Sequence, residues 1–349
     1  MKGGKSLKAI MLTLAIIVSL AGMYAAYSFY RIVYAPNTDL GPDARVHFHI
    51  PTGSTYEDVL DILQKQGIIR NLNTFNRLAI RKNYPNRIRP GRYLIEGGMG
   101  NNDLINLLRS GEQDPVWLTF TNIRTREQLA ATVASQLELD SASIVRMLLD
   151  DERMRAMGFN TLTAHLMFIP NTYQVFWTIS PEQLMDRMHR EYQDFWNDTR
   201  LKKAEGMGLT PKEAGILASI VQSETSMQDE MAKIAGVYIN RLSRNIPLQA
   251  DPTVIYAIGD FTITRVLNHH LQFDSPFNTY LYAGLPPGPI RLPEPQVIDA
   301  VLNYDQHNYL YFCALDDFSG YHAFARTYSE HLANARRYRQ ALNERRIFR

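Results

Sequence analysis

The chain has 349 residues, enough for two domains that each bury a core. Its 45% hydrophobic and 21% charged residues are typical of a globular protein and exclude a disordered or fibrous one. A formal net charge of +2 is too near balance to indicate nucleic-acid binding, and the sequence has no zinc-finger or RNA-binding motif. The single cysteine, Cys313, excludes an intramolecular disulfide framework.

The N-terminal segment is predicted to be a membrane anchor. Residues 9–30 carry no charge, and about 20 apolar residues suffice for a helix to cross a bilayer. Lys2, Lys5 and Lys8 precede this stretch, so the positive-inside rule places residues 1–8 in the cytoplasm and the chain after residue 30 on the outer side of the inner membrane. The alternative is a cleaved signal peptide, but no A-x-A cleavage site follows. We predict a single uncleaved transmembrane helix, followed by a linker at residues 31–44.

Residues 45–113 are predicted to form a small strand–helix–helix–strand module, the layout of a LysM-like domain. Its predicted elements are a strand at Arg45–Ile50, a helix opened by the capping-box pair Ser54 and Glu57 and stopped at Gly67, a helix from Asn73, a strand at Gly91–Ile95, and a short helix at Asp103–Leu108 stopped at Gly111. His47 and His49 project from one face of the first strand. Two potential ligands without a third do not make a metal site, so no metal is predicted.

Residues 114–349 are predicted to form a larger mixed α/β domain, which makes the overall fold class α+β. A strand at Val116–Thr121 and a helix capped by Thr125 come first, and helices dominate from about residue 140 to 243. The stretch 251–295 is rich in Pro, Gly, Asn and Asp, and such a long irregular segment usually builds a site. A buried strand at Tyr309–Ala314 and a helix at Ser329–Phe348 are predicted to close the domain.

Glu224 is the candidate catalytic residue. Thr210 and Glu213 have capping-box spacing, and Pro211 fits the first helical turn. The helix that follows places Glu224 on one stripe with three apolar residues, Leu217, Ile220 and Val221. Desolvation raises a carboxyl pKa and favours the protonated form that a general acid needs near neutral pH. The helix geometry alone leaves an i,i+4 ion-pair partner or a helix-end charge as the alternative.

Four segments combine rigid turn residues with aromatic, amide and carboxyl groups, as a sugar site requires. They are Phe168-Ile-Pro-Asn-Thr-Tyr173, Ser219-Ile-Val-Gln-Ser-Glu-Thr225, Leu248-Gln-Ala-Asp-Pro-Thr-Val-Ile-Tyr256, and Phe277-Asn-Thr-Tyr280 with Gly284-Leu-Pro-Pro-Gly-Pro-Ile290. The candidate substrate-binding residues within these segments and the C-terminal region are Asn171, Tyr173, Gln222, Asp251, Thr253, Tyr256, Asn278, Tyr280 and His322.

Together these segments resemble the YceG-like family of endolytic murein transglycosylases, over nearly the whole chain. The late runs Tyr309-Leu-Tyr-Phe and Gly320-Tyr-His-Ala-Phe324 are similar to the family's C-terminal pattern. By position, the family's catalytic glutamate falls on Glu224. The sequence departs from the pattern where Gln222 replaces a glutamate and Asn171 replaces an aspartate.

The resemblance implies cleavage of the β-1,4 bond between N-acetylmuramic acid and N-acetylglucosamine in nascent peptidoglycan strands. Glu224 would protonate the leaving oxygen and then deprotonate the muramic C6 hydroxyl, giving a 1,6-anhydro end without water, metal or cofactor. Cell-wall synthases are the candidate partners.

Two alternatives remain. A hydrolytic muramidase would use Glu224 with Asp251 as a second carboxylate, although Asp251 before a proline also suits a turn. A non-catalytic peptidoglycan-binding scaffold would rely on the LysM-like module, but a buried carboxyl with no role would carry a desolvation cost.

Overall fold

The computed structural model describes residues 3–345, with side chains from residue 7 onward. The predicted end of the terminal helix, at Phe348, lies outside this range. The chain divides into two compact units. Unit 1 comprises Met1–Trp117 with Gln174–Ile179, and unit 2 comprises Leu118–Tyr173 with Ser180–Arg349.

The N-terminal helix, α1 (Gly3–Val33), contains the predicted anchor. Its Leu7–Val33 segment has a mean hydropathy of 2.2, and the most apolar stretch within it is not buried in the protein. Val33, at the end of the segment, is buried in the core of unit 1. By length and composition this helix can cross a membrane, a property that a signal sequence shares.

The rest of unit 1 has the predicted strand–helix–helix–strand order. The elements are β1 (Arg45–Ile50), α2 (Tyr56–Lys65), α3 (Leu72–Arg81), β2 (Gly91–Glu96) and α4 (Asn101–Ser110). β1 and β2 pair antiparallel, with Arg45 opposite Glu96 and Ile50 opposite Gly91. Phe48, Phe75 and Tyr93 are fully buried in the core between the strands and helices.

The first helix of this module begins one residue later than predicted. Thr55, not Ser54, is the N-cap, and its capping-box partner is Asp58 instead of Glu57. The sequence Ser-Thr-Tyr-Glu-Asp offers the same S/T-x-x-acid spacing twice, so the motif alone cannot choose between the two registers. The predicted stop at Gly111 is confirmed, since this glycine ends α4 in the left-handed conformation with φ of 76°.

The remaining elements are mostly helical. They are β3 (Val116–Phe120), α5 (Arg126–Ala134), α6 (Ser141–Leu149), α7 (Asp151–Ala156), β4 (Asn171–Val175), α8 (Pro181–Phe195), α9 (Asp198–Gly206), α10 (Pro211–Glu224), α11 (Met231–Leu242), α12 (Asp251–Ile258), α13 (Pro295–Leu302), β5 (Tyr311–Ala314), β6 (His322–Ala325) and α14 (Tyr328–Glu344). β3 pairs with β4, and β5 forms an antiparallel hairpin with β6.

Two predictions for this region need correction, and one strand was not predicted. Strand β4 lies within the region where helices were predicted to dominate, and its residues alternate towards a buried Tyr173 and Val175. The stretch predicted to be irregular begins with helix α12, because Pro252 lies in the first turn, where no N–H is needed, and Gly259 ends the helix. The strand β5 is half-buried, not buried, since its residues line a cavity.

Helix α10 is the central helix of unit 2. Its capping box of Thr210 and Glu213 is confirmed, and every residue from 214 to 221 is buried. Its neighbours include α11 and α13, and α11 passes close to the chain after α13 at Gly236. A Cβ at Gly236 would lie 2.4 Å from the carbonyl oxygen of Asp305, so any other residue would push α11 away. This close packing fixes the position of the side chains that α11 presents beside the end of α10.

Candidate active site

A cavity of about 320 Å³ opens at the C-terminal end of α10. Glu224 from α10, Tyr238 and Arg241 from α11, and Asp251 from α12 line it. The β5–β6 hairpin and α14 supply further lining, including His322. We call this space the Glu224 cavity.

Glu224 is the last residue of α10 and is half-buried. Leu217, Ile220 and Val221, which share its stripe, are fully buried, as predicted. Burial raises the pKa of Glu224 from 4.5 to about 7, and the charge of Asp251 adds to this rise. The hydroxyl of Tyr238 donates a hydrogen bond of 2.6 Å to Oε1 of Glu224, which acts in the opposite direction.

Asp251 presents a second carboxyl to the cavity from the first turn of α12. The hydroxyl of Tyr280 donates a hydrogen bond to Oδ1 of Asp251. The residue as a whole is exposed, yet its carboxyl lies among enough protein atoms for burial to raise its pKa, against the effect of the Tyr280 hydrogen bond. Burial, followed by the hydrogen bond to Asp251, also raises the pKa of Tyr280, so this hydroxyl stays a proton donor.

His322 is oriented by the buried carboxylate of Glu230. Oε2 of Glu230 lies 2.8 Å from Nδ1 of His322, and Oε1 accepts a 3.0 Å hydrogen bond from the His322 backbone N–H. The two contacts hold the imidazole ring against Phe312 in an edge-to-face arrangement with centroids 5.3 Å apart. With Nδ1 engaged by Glu230, Nε2 is the ring nitrogen left for a ligand in the cavity.

Arg241 connects three elements around the cavity. Its Nε donates to the carbonyl of Leu310 at 2.8 Å, ahead of β5, while the guanidinium also reaches the Pro247 and Leu248 carbonyls before α12. The side chain is buried and its charge lies over the ring of Tyr311 at 5.1 Å. These contacts tie the hairpin and the start of α12 to α11.

The structure brings together four of the predicted site residues in the Glu224 cavity: Glu224, Asp251, Tyr280 and His322. Tyr256 lies further along α12 and lines two neighbouring cavities.

The other predicted site residues make packing or backbone contacts away from this cavity. The Tyr173 hydroxyl donates to the carbonyl of Ile169 at 2.6 Å, and Asn171 is exposed at the start of β4. Thr253 bonds the Ala250 carbonyl in the core. Asn278 is fully buried, and its amide donates to two carbonyls of the loop before it.

Gln222 holds the loop that follows α12 in place. Its Oε1 accepts a 2.7 Å hydrogen bond from the backbone N–H of Glu294, the residue that caps α13. Ser219, one turn earlier on α10, accepts from the backbone N–H of Ile290 at 3.1 Å. An amide oxygen accepts this hydrogen bond as a carboxylate oxygen would, so Gln222 ties the end of α10 to the start of α13.

Sequence reasoning missed Tyr238, Glu230 and Arg241. Tyr238 and Arg241 lie on the buried side of α11, where a hydroxyl and a guanidinium among apolar residues are the available signal. Glu230 meets His322 across 92 residues of chain, and no local pattern encodes that pairing.

Chemically, the cavity offers one carboxylic acid that can both donate and accept a proton near neutral pH. Within residues 3–345, no three side chains of His, Cys, Asp or Glu are grouped to hold a metal ion.

The chain belongs to the YceG-like family, whose pattern it matches over residues 48–337. It is 28% identical over 315 residues to the endolytic murein transglycosylase of Bacillus subtilis, a match covering 86% of each chain. It is also 28% identical over 329 residues to the endolytic murein transglycosylase of Streptococcus pneumoniae strain D39, covering 84% of this chain but 58% of that longer protein.

A solved structure shows the same similarity. The crystal structure of a putative YceG-like protein from Listeria monocytogenes superimposes with a TM-score of 0.54 at 25% sequence identity. The match covers 83% of this chain and 99% of that one.

Proposed function

We propose that this protein is an endolytic murein transglycosylase that cleaves peptidoglycan glycan strands, with Glu224 as its single general acid and base. The observation that carries the proposal is the raised pKa of Glu224, about 7, in a cavity of a YceG-like chain. Relatives that match most of the chain are named for this activity.

The proposed reaction begins with the protonated form of Glu224. It donates its proton to the oxygen that links the muramic C1 to the next sugar, and that C1–O bond breaks. The resulting carboxylate then takes the proton of the muramic C6 hydroxyl, whose oxygen attacks C1. A 1,6-anhydro ring forms, Glu224 regains its proton, and no water is consumed.

The residues around Glu224 support both halves of this cycle. The Tyr238 hydroxyl, 2.6 Å away, stabilises the carboxylate that exists between the two proton transfers. Burial favours the protonated form before and after them. The two opposing effects hold the pKa near neutrality, where one group serves as both acid and base most efficiently.

Asp251 favours a second candidate function, a hydrolytic muramidase. Its carboxyl faces the same cavity, and a hydrolase with two carboxylates would use it to activate water or to attack C1. The Tyr280 hydroxyl already bonds this carboxyl. Because the proposed transglycosylase cycle needs only one acid and base, we assign Asp251 to shaping the site together with Tyr280.

Product analysis separates the two functions. Purified murein digested by the full-length protein should give 1,6-anhydro ends, each about 18 mass units lighter than a reducing end because no water enters the bond. Mass spectrometry of the fragments, with and without borohydride reduction, measures the ratio of 1,6-anhydro ends to reducing ends. Predominantly reducing ends would refute the transglycosylase and establish the hydrolase.

The proposal places the protein in the inner membrane, with residues 31–349 outside the cytoplasm. The apolar helix Leu7–Val33 and the lysines before residue 9 support this orientation. Protease added to spheroplasts should then degrade everything beyond the anchor. Complete protection of the chain, or recovery of a soluble form cut near Tyr27, would contradict it. In this arrangement the strand–helix–helix–strand module of unit 1 serves as a LysM-like glycan-binding domain.

A further inference from the structure

A second, smaller cavity lies beside the Glu224 cavity and contains two arginines. It has a volume of about 120 Å³ and is lined by Arg124, Arg291, Ser223, Pro252 and the ring of Phe261. Ser223 precedes Glu224 and Pro252 follows Asp251, and neighbouring Cα atoms are only about 3.8 Å apart. The two cavities therefore adjoin the same two helix ends. We call the smaller one the two-arginine cavity.

Arg291 lines this cavity and is held there by contacts with the chain at Asn122 and Ile123. One guanidinium nitrogen, Nη2, donates to Oδ1 of Asn122 at 2.6 Å, and the next residue bonds the Ile123 carbonyl through its backbone N–H. The Nε atom is buried and makes no hydrogen bond. The cation of Arg291 thus lies beside the cavity, and a guanidinium forms strong charge-assisted hydrogen bonds with a carboxylate.

Arg124 adds a second positive charge. Its guanidinium lies over the Phe261 ring, 5.1 Å from the centroid. Among residues 7–345, no carboxylate forms an ion pair with either arginine. Burial first, and then the charge of Arg124, lower the pKa of Arg291. Glu294 counteracts this in part, but its carboxylate accepts from the backbone of Asn122.

We propose that the two-arginine cavity binds a carboxylate on the peptide stem of the muramic residue next to the cleaved bond. Two arginines that line one space, neither of them paired with a carboxylate of residues 7–345, favour an anion over a neutral sugar hydroxyl. The volume equals that of roughly four waters, which suits a small anionic group and the chain that carries it. This inference rests on the proposed function, because the stem reaches the cavity only if the glycan lies in the Glu224 cavity.

Binding to an inactive protein tests the site without requiring cleavage. The full-length Glu224→Gln protein in detergent is titrated calorimetrically with soluble tetrasaccharides, either bearing peptide stems or stripped of them by an amidase. We expect the stem to tighten binding about tenfold, as a charge-assisted contact does. Stems with amidated carboxyls should bind like the stripped strand, which separates charge from length.

Substitution of the arginines should remove this preference. Arg291→Gln or Arg124→Gln, each added to Glu224→Gln, should bring the stem-bearing and stripped strands to within about twofold of each other. Arg146→Gln is the matched control, because Arg146 is an exposed arginine on α6 and its loss changes the net charge equally. That variant should keep the full preference.

The outcomes separate this inference from the proposed function. A stem preference that survives both arginine substitutions, or equal losses with stripped and stem-bearing strands, would overturn the carboxylate site. If wild-type protein fails to cleave murein while the stem preference still depends on Arg291, the proposed function is wrong and the carboxylate site stands. If the wild-type protein cleaves murein but the stems add nothing to binding, the proposed function stands and the carboxylate site is wrong.

Discussion

The ends of α10 and α12 each present a carboxyl to the same cavity, and a tyrosine hydroxyl donates to each carboxyl. Glu224 is the last residue of α10, whereas Asp251 lies in the first turn of α12. A helix dipole disfavours a negative charge at its C-terminus and favours one at its N-terminus, by about 0.3–1 kcal/mol. Two similar Tyr–carboxyl pairs are therefore biased towards opposite protonation states.

Burial acts on both carboxyls. It raises both pKa values, but at Glu224 the helix dipole acts in the same direction, and at Asp251 it acts against burial. The comparison teaches that burial is the main cause of the raised pKa at both carboxyls, and that the two helix ends move these pKa values apart. We expect Glu224 to be the proton donor and Asp251 to act as a charged neighbour.

The largest expected effect is on activity. Glu224→Gln should lower the rate of fragment release from murein by about 10³-fold or more, the range that a general acid supplies. Asp251→Asn should lower it by less than about tenfold, because Asn keeps the shape of the α12 start. Initial rates of soluble glycan release measure both. If Asp251→Asn proves as inactive as Glu224→Gln, the carboxyls at the ends of α10 and α12 do not differ in function.

The second expected effect is on stability. Between pH 4.5 and about 7 the folded protein binds more protons at Glu224 than the unfolded chain does, so this group's contribution to stability is lost as pH rises through 7. Glu224→Gln should therefore stabilise the protein at pH 8 and have little effect at pH 4. A pKa rise from 4.5 to about 7 corresponds to about 3 kcal/mol in the free energy of unfolding. Glu224 keeps partial contact with solvent, so we expect a change of about 2 kcal/mol.

Thermal melts at the two pH values measure this difference. The unit 2 transition of Glu224→Gln should lie roughly 4–8 °C above wild type at pH 8 and close to it at pH 4. Glu205→Gln, at an exposed glutamate of α9, is the control and should melt like wild type at both. A wild-type protein as stable as Glu224→Gln at pH 8 would show that Glu224 is not held protonated by the fold.

Local signals predicted the α10 end well and the α12 end poorly. The capping box at Thr210 and the apolar spacing up to Glu224 lie within one helix, so both could be read from neighbouring residues. Helix α12 was missed because its composition continues into a loop rich in proline and glycine, and helix propensity there depends on a single first-turn proline.

The partners of the two carboxyls were beyond local reasoning. Tyr238 reaches Glu224 from 14 residues away and Tyr280 reaches Asp251 from 29. These pairings depend on helix packing, such as the close approach at Gly236, which sequence spacing does not encode. Tyr280 was singled out for its neighbouring motif and not for this contact.

The smallest expected effect is on the pH profile, and it tests the two tyrosines against each other. The Tyr238 hydroxyl favours the Glu224 carboxylate, so Tyr238→Phe should raise the Glu224 pKa. A hydrogen bond worth about 1 kcal/mol corresponds to roughly 0.7 pKa units. Tyr280→Phe favours the protonated form of Asp251. Less negative charge then lies near Glu224, so this substitution should lower the Glu224 pKa, and by a smaller amount.

Because the reaction needs protonated Glu224, the alkaline limb of kcat should move to higher pH in Tyr238→Phe and slightly to lower pH in Tyr280→Phe. Initial rates between pH 5 and 9 on the same murein preparation measure both limbs, and shifts of equal sign would show that the two tyrosines do not act on separate carboxyls.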